Sequence, residues 1–584
     1  MVSLSQLREV PVRKIVLLVG PPGVGKSAFC EQAVLQSLTM DKPVIYLATD
    51  RDSSEVRNTL TERGLSEIEP GLLSFIDAYN ETVGLAVSDQ PDTVRADCSN
   101  LSSISIAISK LQERMGKKGV LLVFDSLVSP YLLNGSEVMK FLRLTLARFV
   151  AEGNSVLASM DEGCSKKEDL GAMMSLSNGV VRIETKDDNQ LLNVVKHPEI
   201  KPTTISVPTD KIWQKKIYNM KLLDQEKYQR FTKAVQNVTT FRREMAEFAV
   251  NGFWPKLASW SSLLWNPSVF PEMIYESWVE FASYIREIVP MLPWRMKLVF
   301  KLFMPKKFSN AKDMRKLVKM INGIWMEQRR WGIMEYLEDD SRIDEHYIRV
   351  HEYIECNGLE NVGVTTSSIF APLIAGFCKG LEKEEREWNA IETKCVGLGD
   401  PYCEFKIIPY EFSGLKDSLK KDSSAIVTIH ERLMQSFMDF LMNNKSLIER
   451  PKLGSDFYMF QEMSLPAMAS ERYRISLRMG GTKSGKEIAG RLLDAGVEPN
   501  EAEKRILDFL KYCKVGKVER GETIKIKQNC ESLWTRWYDT TWEEPLCFFT
   551  TGFLNGFFSA VKNQHVKETK CIAMGDPYCE WEFR

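Results

Sequence analysis

The sequence predicts an α/β protein: a parallel-sheet domain with a phosphate loop, followed by two copies of a smaller α+β domain. Three observations predict it. An apolar run, Ile15 to Val19, leads straight into G-x-x-x-x-G-K-S, Gly20 to Ser27. Short apolar stretches then alternate with helical ones through the first two hundred or so residues. Finally, ETKCVGLGDPYC, Glu392 to Cys403, returns as ETKCIAMGDPYC, Glu568 to Cys579.

The first element is a buried parallel strand ending in a glycine-rich loop. In such a loop Gly20, Gly23 and Gly25 let backbone N–H groups approach phosphate oxygens. Lys26 brings a point charge to the β- and γ-phosphates of ATP, and Ser27 offers a hydroxyl to Mg²⁺. The residues after the loop read as a helix, which is the context the motif requires. GVLLVFDS, Gly119 to Ser126, is a second apolar strand ending in an acid, so Asp125 is the expected partner of the hydrated Mg²⁺. Further strands are expected at Val44–Ala48, Leu72–Ile76, Ser155–Ala158, Val180–Glu184 and Leu191–Val195.

Composition bounds the rest. The chain has 584 residues, 44% apolar and 27% charged, an ordinary globular balance that accommodates three to four domains. A net charge of -1 gives no electrostatic case for nucleic acid as main partner. No signal-peptide succession and no run of about eighteen uncharged apolar residues is present, so a cytoplasmic chain without a transmembrane segment is expected. There the twelve cysteines are expected to be reduced, serving metal or redox sites rather than disulfides.

Residues 1–210 resemble the RecA-type ATPases of the KaiC branch. The matching stretches are GPPGVGKS, VIYLATDRDSSEV, SNLSSISIAISK, LLVFDSL and LLNVVKHP. The resemblance implies ATP binding and a homo-oligomeric ring with nucleotide between subunits. It also implies that Lys196 reaches the γ-phosphate of a neighbouring subunit. Where the family often has two adjacent glutamates that orient the attacking water, this chain has Asp50 and Arg51. Asp50 is the candidate water-positioning group, but its carboxylate sits one methylene short, and small misplacements cost rate. Pro198 stands where an arginine is common. ATP binding with slow hydrolysis is therefore expected.

MGGTKSGKEIAG, Met479 to Gly490, also contains G-x-x-x-x-G-K, but Glu487 follows the lysine. With no hydroxyl for Mg²⁺ and a carboxylate facing the phosphates, it reads as a glycine-bearing turn before a helix. Residues 211–310 read as a helical connector holding Trp254, Trp260, Trp265, Trp278 and Trp294. Within it PWRMKLVFKLFMPKKF reads as a core helix rather than a membrane-surface one. SGLKDSLKKDSS, Ser413 to Ser424, marks the boundary between the two copies, 311–410 and 411–584.

The copies align 176 residues apart without gaps over roughly sixty residues. Gly376, Phe377 and Gly380 map onto Gly552, Phe553 and Gly556, a G-F-x-x-G helix. Glu392, Cys395 and Cys403 map onto Glu568, Cys571 and Cys579 in a closing hairpin. Joint ligation by Glu568 and Cys571 requires a bulge, because a regular strand would point them to opposite faces. Thiolates with a carboxylate suit tetrahedral Zn²⁺. A fourth donor in the second copy is Cys547, or more weakly His565. The first copy has Ala371 at the position of Cys547, so metal is expected only in the second.

E-x-x-C-x-x-x-x-x-x-x-C with G-D-P-x-C-E inside it resembles the vinyl-4-reductase domain family. That resemblance implies a mixed α/β fold shared with vesicle-tethering subunits and with phenol-responsive sensors. It implies a structural zinc held by Cys547, Glu568, Cys571 and Cys579, and a pocket for a small hydrophobic molecule. Phe548, Phe549, Phe553, Phe557 and Phe558 are candidates either for its lining or for plain core. The expected function is an ATP-binding regulator whose tandem C-terminal domains bind a small hydrophobic ligand. The alternatives are an ATP-driven carrier or enzyme for a tetrapyrrole or other hydrophobic substrate, and a protein scaffold.

Overall fold

The computed structural model describes residues 4–65, 71–85, 90–186, 189–208, 250–266, 270–288, 311–322, 331–382, 385–412, 423–445, 447, 456–457, 471–533, 535, 541–542 and 544–584. The chain forms two compact units, Met1–Trp213 and Gln214–Arg584.

The first unit is built on nine strands: β1 (Ile15–Gly20), β2 (Val44–Ala48), β3 (Leu73–Asp77), β4 (Thr93–Arg95), β5 (Leu121–Asp125), β6 (Ser155–Asp161), β7 (Gly179–Lys186), β8 (Asn189–Lys196) and β9 (Thr203–Pro208). Their order in the sheet is β4-β3-β2-β5-β6-β1-β7-β8-β9. Neighbours from β4 to β7 pair in parallel, and β8 and β9 close one edge antiparallel. Strands β1, β2, β3 and β5 are buried along their whole length. This is why they read as unbroken apolar runs: helices cover both faces of a parallel sheet. Strands β4 and β9 are additional to those legible in the sequence. Both lie at sheet edges, where a one-sided or exposed strand leaves little hydrophobic pattern.

The second unit contains two four-stranded antiparallel sheets of identical topology. One consists of β11 (Ile333–Tyr336), β12 (His346–His351), β13 (Asn389–Lys394) and β14 (Cys403–Ile408), in the order β11-β12-β14-β13. The other consists of β16 (Lys517–Arg520), β17 (Ile524–Lys527), β18 (Val566–Lys570) and β19 (Cys579–Phe583), in the order β16-β17-β19-β18. A short ribbon pairs β10 (Val250–Asn251) with β15 (Asp456–Phe457).

The G-F-x-x-G helices, Phe370–Leu381 and Phe548–Lys562, each lie against an earlier helix. A Cβ on Gly552 would stand 2.1 Å from Arg478 O, and one on Gly556 would stand 2.0 Å from Thr482 O. Only glycine allows this approach of two backbones. The partner helix, Glu471–Asp494, answers with its own glycines: a Cβ on Gly485 would meet Phe553 O at 2.2 Å. MGGTKSGKEIAG thus lies inside a helix and not in a turn before one. Its glycines are spaced for helix packing, which a loop motif resembles by coincidence.

In the first copy Gly376 and Gly380 meet Tyr275 O and Val279 O, each at 2.3 Å from an added Cβ, on the helix Phe270–Ile288. That helix lies in the tryptophan-rich stretch. The other described helix of the stretch, Phe253–Trp265, packs on the second copy. There Trp254 has its ring 4.9 Å from Phe549 and 5.2 Å from Phe553, centroid to centroid. Trp294, PWRMKLVFKLFMPKKF and most of SGLKDSLKKDSS lie outside the described residues.

Candidate functional site

The phosphate loop leaves the C-terminal end of β1, and the helix Lys26–Thr39 starts directly after it. Gly23 and Gly25 have φ of 78° and 91°, the left-handed conformation that favours glycine. The first-turn N–H groups of this helix supply the positive end of its dipole. Lys26 is 7% exposed; its Nζ donates to Gly20 O at 3.0 Å and Pro21 O at 2.6 Å and pairs with Asp161 Oδ1 at 2.7 Å.

Asp125, at the end of β5, is buried beside the loop. Its Oδ1 accepts from the hydroxyls of Ser27 at 3.2 Å and Ser159 at 2.8 Å, and its Oδ2 from Tyr46 at 2.6 Å. The Ser27 hydroxyl and the Asp125 carboxylate are thus adjacent, the pair of oxygen donors that suits a hydrated Mg²⁺ beside ATP phosphates. Burial, together with the Asp125 charge, holds the Tyr46 phenol well above its ordinary range, so it serves as a fixed donor.

Asp50 and Arg51 follow β2 on the same rim. The Asp50 carboxylate accepts from the hydroxyls of Ser126 and Ser129. Arg51 turns the other way. It pairs with Glu31, lies 3.5 Å from Asp125 Oδ2 and donates to Tyr46 Oη at 3.2 Å. Glu31, itself buried, is shared with Arg63 at 2.8 Å. The rim position that glutamate often fills in the resembling family therefore carries a cation beside the Asp125 carboxylate.

Lys196 is not brought to this site within the chain. In register it faces Val180, which faces Leu17, three residues before Gly20. It thus sits roughly 10 Å back along the strand direction from the loop. Its Nζ donates to Ser175 O at 3.4 Å. The residue of β8 that does reach the loop is Gln190, donating to Val24 O at 2.6 Å. Asp161, Tyr46, Ser159, Glu31 and Gln190 join the site without a motif to announce them. Asp161 ends a buried strand as Asp125 does, and that is the signal the sequence holds for it.

In the second unit the hairpin β18–β19 brings its cysteines together. Gly575 takes φ 95° in the turn, and Asp576 accepts from the Cys571 N–H at 2.9 Å. The ladder shifts register between Glu568 and Lys570, the irregularity that joint ligation requires. Cys547 stands at the N-terminal cap of the helix Phe548–Lys562. Its Sγ is 3.9 Å from that of Cys571 and 3.4 Å from that of Cys579; the latter two are 3.9 Å apart.

Glu568 completes the group: one donor atom from each of the four residues lies within 4.8 Å of the others. Its Oε2 accepts from Thr551 at 2.8 Å, whereas Oε1 is buried with no hydrogen-bond partner among the described residues. Burial pushes the Glu568 carboxyl and the Cys547 thiol up. Burial would raise Cys579 too, but hydrogen bonds with Cys547 and Cys571 outweigh it and bring that thiol to about 6. Three sulfurs, an orphaned carboxylate oxygen and spacings near the roughly 3.8 Å expected around tetrahedral zinc make a donor set that fits Zn²⁺. His565 lies apart, with Nδ1 3.3 Å from Asn555 Oδ1.

The first copy differs from expectation. Cys356, Glu392, Cys395 and Cys403 also place four donor atoms within 4.8 Å. Ala371 does leave the helix start without a ligand, but Cys356, from the turn after β12, reaches the hairpin instead. The expectation that this copy is a ligand short is corrected. Cys378, the nearby cysteine of the helix, is buried outside the group.

A pair of acids beside these clusters also escapes a reading of the sequence. Glu531 accepts from the N–H groups of Phe549 at 2.7 Å and Thr550 at 3.1 Å, capping the helix, and burial pushes its carboxyl up to about 7. Glu355, its equivalent, accepts from the Ile369 N–H and the Ser368 hydroxyl. Each carboxylate satisfies helix-end donors that burial would otherwise leave unpaired.

Comparison with known proteins agrees with both halves. Residues 6–199 match the KaiC ATPase family model, and residues 539–584 match the vinyl-4-reductase domain model. A UPF0273 protein of Pyrococcus furiosus is 37% identical over 78 residues, 13% of this chain and 32% of that protein. An uncharacterized protein of Methanocaldococcus jannaschii is 37% identical over 82 residues, 14% of this chain and 45% of that one. The chain thus spans about a third to under half the length of these relatives. Among solved structures, flagellar accessory protein FlaH of Methanocaldococcus jannaschii aligns at 16% identity and TM-score 0.28, over 34% of this chain and 86% of that one. That score carries no functional argument. The N-terminal unit is a KaiC-like ATPase domain, and the C-terminus carries a vinyl-4-reductase domain. Among the described residues no helix is long and apolar enough to cross a membrane.

Proposed function

We propose that this protein is an ATP-binding regulator that hydrolyses ATP slowly and whose C-terminal unit binds a small hydrophobic ligand. The observation that carries the nucleotide half is the juxtaposition of Lys26, Ser27 and Asp125 at the end of a parallel sheet. In this reading the loop N–H groups and Lys26 hold the phosphates, and Ser27 with Asp125 holds Mg²⁺ through its water shell. The ion neutralises charge on the phosphates when bound.

Slow turnover is supported by the engagement of Asp50. Two serine hydroxyls occupy its carboxylate, and Arg51 offers no second acceptor for water. Lys196 serves a neighbouring subunit, because it lies well back from its own loop; this is the support for a homo-oligomer.

In the second copy Cys547, Glu568, Cys571 and Cys579 hold a structural zinc. With all four positions supplied by the protein, it has no open site for chemistry. The ligand half rests on the match to the vinyl-4-reductase domain. Phe549 and Phe553 pack on Trp254, so they belong to the core and the ligand is taken elsewhere in the unit.

The test is extraction of small molecules from the purified full chain, with identification by mass spectrometry and ATP turnover measured before and after. A bound apolar compound whose removal changes turnover supports the regulator. A chain that carries none, and whose turnover ignores a panel of phenols and other small apolar compounds, contradicts it.

A further inference from the structure

We propose that the first copy is a second, independent metal site, in which Cys356, Glu392, Cys395 and Cys403 bind a zinc ion. Its fourth ligand comes from a different element than in the second copy. Cys356 follows β12, whereas Cys547 precedes the G-F-x-x-G helix. In the 176-residue register Cys356 corresponds to Ser532, and Cys547 corresponds to Ala371. Each copy thus has a cysteine at one of these two positions and not at the other, and in each that cysteine joins the hairpin's glutamate and two cysteines in a group whose donor atoms lie within 4.8 Å of one another. The Cys356 sulfur lies 3.1 Å from that of Cys403, and the Ser532 hydroxyl lies 3.2 Å from the Cys579 sulfur.

The chemistry of the set is that of a closed structural zinc site. All three cysteines are fully buried; besides one another they meet the hydroxyls of Ser367, 3.2 Å from the Cys356 sulfur, and Thr366, 3.3 Å from the Cys395 sulfur. Cys395 and Cys403 are 3.8 Å apart, the sulfur spacing of a tetrahedral zinc with bonds of about 2.3 Å. Cys356 must open from Cys403 by under about 1 Å to match it, a shift within reach of a turn residue. The hairpin repeats the geometry of the second copy: its register shifts between Glu392 and Lys394, and Asp400 accepts from the Cys395 N–H at 2.9 Å. Ser367 donates to Glu392 Oε1 at 2.8 Å and orients the carboxylate, as Thr551 does for Glu568.

In each copy the additional thiol lies against the second cysteine of the hairpin, Cys356 at 3.1 Å from Cys403 and Cys547 at 3.4 Å from Cys579. A fourth donor supplied from either of two elements points to a shared requirement for four. The consequence is mechanical: metal ties the turn after β12 to the first hairpin, but ties a helix start to the second.

The experiment is metal analysis of the full chain purified under reducing conditions, by inductively coupled plasma mass spectrometry. The expected result is about two zinc ions per chain, falling to about one in Cys356→Ser and returning to about two in Cys356→Ser/Ala371→Cys. One zinc per chain that survives Cys356→Ser overturns the proposal. So does a Cys356–Cys403 disulfide in the zinc-loaded protein. One zinc that is lost in Cys356→Ser but kept in Cys547→Ser supports it and overturns the second-copy assignment instead. Should Cys356→Ser fail to fold, cobalt titration of the intact apo chain decides. Two equivalents with thiolate charge-transfer bands support the site, and saturation at one, with Cys547→Ser then taking none, overturns it.

Discussion

Arg51 places its Nη2 3.5 Å from Asp125 Oδ2, so a guanidinium stands beside the carboxylate expected to serve Mg²⁺. Arg51 therefore competes with the metal for that charge. Replacing it with alanine is expected to lower the Mg²⁺ concentration needed for ATP binding by a few-fold, a modest effect because Arg51 is partly exposed and its charge is shared with Glu31. Titration of ATP binding against Mg²⁺ checks this; an unchanged or higher requirement contradicts it.

Asp50 is expected to set the residual turnover. Asp50→Asn should reduce ATP hydrolysis by about tenfold or more, the lower end for loss of a proton-accepting group being about a hundredfold in fast enzymes. ATP affinity should stay unchanged. Steady-state turnover with a parallel binding measurement separates the two, and equal turnover removes Asp50 from the chemistry.

The glycine crossing gives a stability prediction with a built-in control. Gly556→Ala puts a methyl group 2.0 Å from Thr482 O and is expected to destabilise the second unit by about 1–3 kcal/mol or more. Gly490→Ala, in the same helix pair but facing open space, is expected to be neutral or stabilising by up to about 1 kcal/mol. Denaturant unfolding of both variants tests it; equal effects would mean that the close approach is not what these glycines serve.

His430, in the helix Ser423–Asn443, is buried with its Nε2 3.4 Å from Ser484 and its Nδ1 3.5 Å from Glu487. Burial lowers its pKa, opposed by Glu487 and Glu431 and assisted by Lys483 and Arg491. The folded state therefore keeps the ring neutral, while the unfolded chain protonates it below its ordinary range near about 6.5. Its contribution is fully present above that pH and is lost as pH falls toward the folded value. The stability difference between the parent and His430→Gln should shrink or reverse between about pH 7 and pH 5. A difference that does not vary with pH, in thermal unfolding, contradicts the assignment.

What the sequence makes legible follows how local each signal is. The phosphate loop and its strand lie within a few residues, so Lys26 and Ser27 are legible, and Asp125 follows from a second buried strand. The second copy's four-residue group is legible because three of its members sit in one hairpin and Cys547 lies just before an obvious helix. Cys356 is not, because alignment points to Ala371 and the thiol that completes the group sits on another element, 36 residues before Glu392. The helix partners are hidden similarly. Tyr275 and Arg478, which meet the equivalent glycines, are 203 residues apart rather than 176. The glycines of Met479–Gly490 mimic a loop motif because helix crossings and phosphate loops both need residues without a Cβ.

ATP binding by the phosphate loop is decided by calorimetric titration of ATP with Mg²⁺ into the full chain and into Lys26→Ala. Saturable binding to the intact chain is expected, with loss of it in the variant, whose fold is checked by circular dichroism. Equal affinity of the two proteins, or no binding by either, would contradict it.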